Sequence, residues 1–106
     1  MKSLKLPSIA QYLLFITNLA LGFVETLIGL RIILKLFGAS TQASFVTWVY
    51  ETTKPLLSPF AGIFPAPVLD GYFVVEFSAI FALIVYAFLA YFIEAAVNFL
   101  DDRKDG

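Results

Sequence analysis

Residues 77–93, FSAIFALIVYAFLAYFI, contain no charged side chain and are dominated by Leu, Ile, Phe and Ala. The apolar run around them extends from Phe73 to Leu100. A helix rises about 1.5 Å per residue and needs about 20 residues to cross the hydrocarbon core of a bilayer. The run is long enough to span, with one end left to project among the headgroups. A second run covers 11–37; it is uncharged from Tyr12 to Val24 and then interrupted by Glu25, Arg31 and Lys35. Two such segments in a short chain predict an all-α membrane protein, built as a two-helix transmembrane hairpin.

Composition leads to the same class. The chain has 106 residues, 60% of them hydrophobic and 14% charged, against about 45–50% and about 25% in soluble domains. One small domain cannot bury that much apolar surface in its own core, so a bilayer is expected to cover it. A net charge of −1 leaves no basic footprint for nucleic acid. There is no cysteine and no histidine, and the only methionine is Met1. This removes Cys/His zinc sites, the common haem ligands and any Ser-His-Asp triad. No other nucleophile–base spacing stands out. The expectation is a protein that is not an enzyme, with no catalytic residue, no cofactor and no metal.

The chain divides into a polar flank (1–10), a first spanning helix (11–37), an interfacial segment (38–72), a second spanning helix (73–100) and a polar tail (101–106). An alternative for the start is a cleavable signal peptide, with Lys2 and Lys5 as its basic region and Ala20-Leu21-Gly22 as its cleavage site. The apolar run continues well beyond that site, which favours an uncleaved helix. The central segment holds four of the five prolines, Pro55, Pro59, Pro65 and Pro67. Phe45, Trp48, Val49 and Thr52 follow i, i+3, i+4, i+7 spacing and predict a short amphipathic helix over about 42–53. Trp48 and Tyr50 suit a membrane–water boundary. Ser58-Pro59 reads as an N-cap followed by proline at the first helical position, and Asp70 as the N-cap of the second spanning helix. Two spans place both termini on one side. Lys2, Lys5, Arg103 and Lys104, set against Arg31, Lys35 and Lys54, lean that side towards the cytoplasm.

Polar residues inside the spans narrow the function. An acidic group such as Glu25 costs roughly 2.5–3.5 kcal/mol at the centre of a span. Asn18, Gly22, Glu25 and Gly29 fall at i, i+4, i+7 and i+11 and share one face, small enough for close helix approach and polar enough for hydrogen bonds across helices. That face is a packing interface that satisfies Glu25 or, in an oligomer, the lining of a cation or proton path; a shorter span would instead leave Glu25 close to the membrane interface. Arg31 and Lys35 share a face near the end of the first helix, beside the start of the second, where Glu76 lies. They form either a clasp with Glu76 or a site for lipid headgroups. Glu76 and Glu94 are five helical turns apart, with Ala79, Leu83, Ala87 and Ala90 between them, a stripe suited to a helix–helix seam.

Gly29-Leu30-Arg31, the following residues 32–39 (IILKLFGA), and then Thr53-Lys54-Pro55-Leu56-Leu57-Ser58-Pro59 with Ile63-Phe64-Pro65 resemble the YggT family of small bacterial and plastid membrane proteins. The P-x3-P-x5-P spacing of Pro55, Pro59 and Pro65 is part of that resemblance, which covers roughly 25–86. Phe60, Ala61 and Gly62 stand where many members have arginines, Lys54 where an acidic residue is common, and the start of the second helix is reduced to Asp70-Gly71-Tyr72-Phe73. This looks like a divergent branch. The resemblance implies a bacterial plasma-membrane protein connected with osmotic or cation homeostasis, with organisation of division or nucleoids, or with assembly of a cytochrome complex. Without histidine or cysteine, the chain is not expected to ligate haem itself. The leading expectation is an accessory, assembly or organising subunit, associating with itself or with a larger membrane complex. The alternative is a homo-oligomeric cation or proton pathway lined by Glu25.

Overall fold

A computed structural model describes residues 9–71 and 73–105, with side chains described up to Leu100. The expectations for Lys2, Lys5, Tyr72 and Gly106, and for the side chains of the polar tail, lie outside the described residues. The fold is mostly helical. In chain order it consists of α1 (Ile9–Leu36), α2 (Ser44–Leu57), a single 3₁₀ turn (Ser58–Phe60), β1 (Val68–Leu69), β2 (Phe73–Val74) and α3 (Phe77–Asp105). Helix α1 packs against α3, and α2 closes over one end of the pair. Both α1 and the 77–100 part of α3 are long and apolar enough to cross a membrane.

Local chemistry sets the ends of α1 and α2. Gly38 adopts φ 68° just past α1, a left-handed turn that costs glycine nothing. There the Ala39 amide donates to Leu34 O (2.8 Å) and the Gly38 amide to Lys35 O (3.2 Å). This is the paired closure that satisfies the last carbonyls of a helix. At the start of α2, the Thr47 hydroxyl donates to Thr41 O at 2.8 Å and fixes the entry of the chain. Helix α2 runs past Thr53 and carries Pro55 in its final turn, so it is longer than the amphipathic spacing predicts. The missing proline amide removes one intrahelical bond. The Tyr86 hydroxyl of α3 holds the following turn by donating to Leu56 O at 2.8 Å.

Three sequence expectations are corrected. Asp70 does not cap the second long helix: Asp70 (φ 51°) and Gly71 (φ 88°) turn a small antiparallel β-ribbon that pairs Val68 with Val74 and Leu69 with Phe73. Aspartate and glycine are residues that tolerate this backbone. Helix α3 therefore begins at Phe77 rather than Phe73, with the Glu76 carbonyl accepting from the Ala79 and Ile80 amides, both at 3.1 Å. Ser58 is the first residue of the 3₁₀ turn, and its N-cap position falls on Leu57. The buried stripe of α2 is Val46, Val49 and Thr53, while Phe45 and Trp48 stack on each other on the exposed side with ring centroids 6.2 Å apart. Spacing alone fits either stripe; the partner for Thr53, described below, selects the one that is buried.

The core is small and lies at one end. Leu27 and Ile28 of α1, Val46, Val49 and Thr53 of α2, and Ala79 and Ala82 of α3 are the buried residues among those described. Beyond Ala82 the expected seam opens: Leu83 and Ala90 are half-buried, and Ala87 and Glu94 are exposed. Two helices alone cover each other along one line only, so most of the apolar surface of both faces outward.

Candidate functional site: a polar cluster at the helix ends

The basic residues of α1 fall in its last two turns and Glu76 immediately precedes α3. Each charge thus sits at the helix end whose dipole it complements, basic at a C-terminus and acidic at an N-terminus. Arg31 meets Glu76 in two parallel bonds: Nε donates to Oε1 at 2.8 Å and Nη2 to Oε2 at 3.2 Å. Lys35 Nζ lies 3.9 Å from Glu76 Oε2. The side chains of Arg31 and Glu76 are 14% and 16% exposed, dry enough for the two-pronged geometry to matter.

Helix α2 supplies the remaining walls. Arg31 Nη1 donates to the Thr53 hydroxyl at 2.9 Å and to Tyr50 O at 3.1 Å. Thr53, fully buried, donates in turn to Val49 O at 2.7 Å. The Tyr50 ring lies under both cations, 4.5 Å from Lys35 Nζ and 5.4 Å from the Arg31 guanidinium carbon. Burial, and secondarily the Glu76 carboxylate, push the Tyr50 phenol above its ordinary value near 10, while Arg31 opposes them. One arginine thus joins α1, α2 and α3.

In the sequence Thr53 stands out only as part of the Thr53-Lys54-Pro55 motif, Tyr86 carries no signal of its own, and Tyr50 suits the membrane boundary. The available signal for Thr53 was its i, i+3, i+7 relation to Val46 and Val49. On the other side of the 3₁₀ turn, the Ser78 hydroxyl accepts from the Phe64 amide (3.1 Å) and donates to Phe64 O (3.2 Å). Phe60 and Phe64 pack edge-on against Phe81, with centroids 6.0 and 5.4 Å away. Of the proline positions, Pro55 lies in the last turn of α2, Pro59 in the 3₁₀ turn, and Pro65 in the exposed stretch after it.

The other candidate face is not drawn into this cluster. Asn18 is exposed and Glu25 half-buried, and the Glu25 side chain makes no hydrogen bond or ion pair with a described residue. A Cβ placed on Gly22 or Gly29 would meet nothing within 4 Å. The Gly22 carbonyl accepts from the Thr26 hydroxyl at 2.8 Å. Gly22 and Gly29 therefore leave room on this face of α1 that no other part of the described chain occupies.

Fold and cluster define a small helical protein with two candidate membrane-spanning helices, pinned together at one end by a three-helix arginine site. A family model described as CCB3/YggT matches residues 10–97, and the chain belongs to that family. No curated protein and no solved structure matches it.

Proposed function

We propose that the chain is a non-enzymatic integral membrane protein that acts as an accessory, assembly or organising subunit, by helix–helix association inside the bilayer. The observation that carries this reading is the uncovered surface of the two long helices. Only 11% and 6% of their most apolar stretches are buried, against the mostly buried core helix of a soluble protein. A bilayer can cover apolar side chains. It covers an amide and a carboxylate poorly, so the Asn18/Gly22/Glu25/Gly29 face calls for a protein neighbour. The open space at both glycines suits the close approach of another helix. In this reading the Arg31–Glu76 cluster holds the hairpin in shape, and α2 with the following prolines lies at the membrane surface.

Site-specific photo-crosslinking in the native membrane tests the face. A crosslinker at Asn18 is expected to trap a second copy or one other membrane protein. One at Phe23, exposed on a different side of α1, is expected to give lipid adducts only. Equal protein adducts at the two positions, or none at Asn18, would remove the proposed face.

The Glu25 side chain, without a partner among the described residues, supports a second reading. Several copies could set Glu25 in a ring around a cation or proton path, as acidic rings do in cation channels. Flux through vesicles holding the purified protein should then be lost with Glu25→Gln while assembly persists. Absence of flux in the wild type would end this reading.

A further inference from the structure

Beside the polar cluster, between the 3₁₀ turn and the first turn of α3, lies an open cleft of about 380 Å³. Its size falls within the range of small-ligand pockets, about 300–1,000 Å³. Leu57, Ala61, Phe64 and Ala79 give it an apolar floor, and Lys54, Arg31 and Glu76 stand at its polar side. Arg31 and Glu76 neutralise one another, with Lys35 adding to the charge around the same carboxylate. The Lys54 ammonium is exposed and makes no hydrogen bond or ion pair with a described residue. Glu51, one turn earlier on α2, is exposed and does not line the cleft. The Lys54 ammonium, unpaired among the described residues, therefore sits at the rim of an apolar groove.

We propose that this cleft binds a single anionic glycerophospholipid, its phosphate on Lys54 and the first part of an acyl chain along Leu57, Ala61 and Phe64. Each half of the ligand has its counterpart. A soluble anion has no use for the apolar floor, and a bare hydrocarbon has none for the ammonium. A zwitterionic headgroup would bring a second cation, and the carboxylate lining the cleft, Glu76, is already held by Arg31. The net charge of a phosphatidylglycerol headgroup matches the Lys54 ammonium, which lines the cleft and pairs with no described residue. The depth also fits, because the cleft is level with the end of α1 and the start of α3, where headgroups lie if these helices span. The inference rests on the membrane placement proposed above and is independent of the Asn18/Gly22/Glu25/Gly29 face.

The test is native mass spectrometry of the full chain released from nanodiscs of equimolar phosphatidylglycerol and phosphatidylcholine, counting retained lipid. The wild type should keep one phosphatidylglycerol in preference to phosphatidylcholine. Lys54→Ala should lower that preference about fivefold, as expected for one basic residue near an anionic surface, and Lys54→Arg should keep it. Ala61→Leu, which fills the floor and leaves the charge, should also lower retention. Because Lys54 and Ala61 are exposed, neither variant should disturb the fold. Equal retention of the two lipids, or no change in Lys54→Ala, would overturn the proposal. So would displacement of the lipid by inorganic phosphate, which would reduce the site to an anion site, or by an acidic partner peptide, which would reassign it to protein. Selective retention by a chain that stays monomeric would leave the site standing and count against the associating subunit. Association without lipid selectivity would do the reverse.

Discussion

Replacing Arg31 with methionine should destabilise the chain by about 3 kcal/mol, and adding Glu76→Leu should return most of that loss. The single change leaves the Glu76 carboxylate largely buried without its two-pronged partner. Breaking one side of a buried pair typically costs about 3–5 kcal/mol. The lower end applies, because both side chains keep some exposure and Lys35 Nζ is already 3.9 Å away. The Thr53 hydroxyl also loses the donor it accepts from, and the Tyr50 carbonyl loses one of its donors. The double variant removes the stranded charge and substitutes apolar contact, an exchange that is often close to neutral. Reversible unfolding in detergent, followed by loss of helical signal, measures both. Equal destabilisation in the single and double variants would show that packing around Arg31, and not its charge, joins the helices.

Gly22→Leu should weaken association in the membrane on the order of tenfold, equivalent to about 1.4 kcal/mol, while leaving the single chain intact. The second half of this expectation follows from the open space around Gly22. Leucine is also the better helix former, so unfolding of the isolated chain should not become easier. A leucine there does obstruct a neighbouring helix that approaches along the small-residue face. Energy transfer between labelled copies, or co-purification with a partner complex, separates the two effects. A variant that unfolds more readily would show that Gly22 is packed within the chain. Unchanged association would show that α1 meets its neighbour through another face.

The long helices were legible because their signal is coarse. An uncharged run such as 77–93 admits few other structures. The meeting of Arg31 with Glu76 was also readable, from their positions at adjoining ends of the two runs, though their spacing does not say what the pair is for. The central segment was harder to read. Its strands are two residues long, too short for alternation to register, and Asp70-Gly71 signals a turn without saying which elements the turn joins. In α2, two apolar stripes one residue out of register share Val49. The choice between them depends on Arg31, which is distant in sequence and reaches Thr53 and Tyr50 in space. Tyr86 likewise finds its acceptor, Leu56 O, thirty residues away. An outward face such as Asn18 to Gly29 is legible as a pattern, but its meaning depends on a neighbour outside the chain.

The most direct measurement is therefore the company the chain keeps in its own membrane: extraction of the tagged wild type into native nanodiscs, without detergent, followed by native mass spectrometry. The expected result is a defined assembly, either further copies of the chain or one stable membrane complex, with Gly22→Leu reducing its recovery. A chain recovered only as a monomer with lipid, in wild type and variant alike, would contradict its role as an associating subunit.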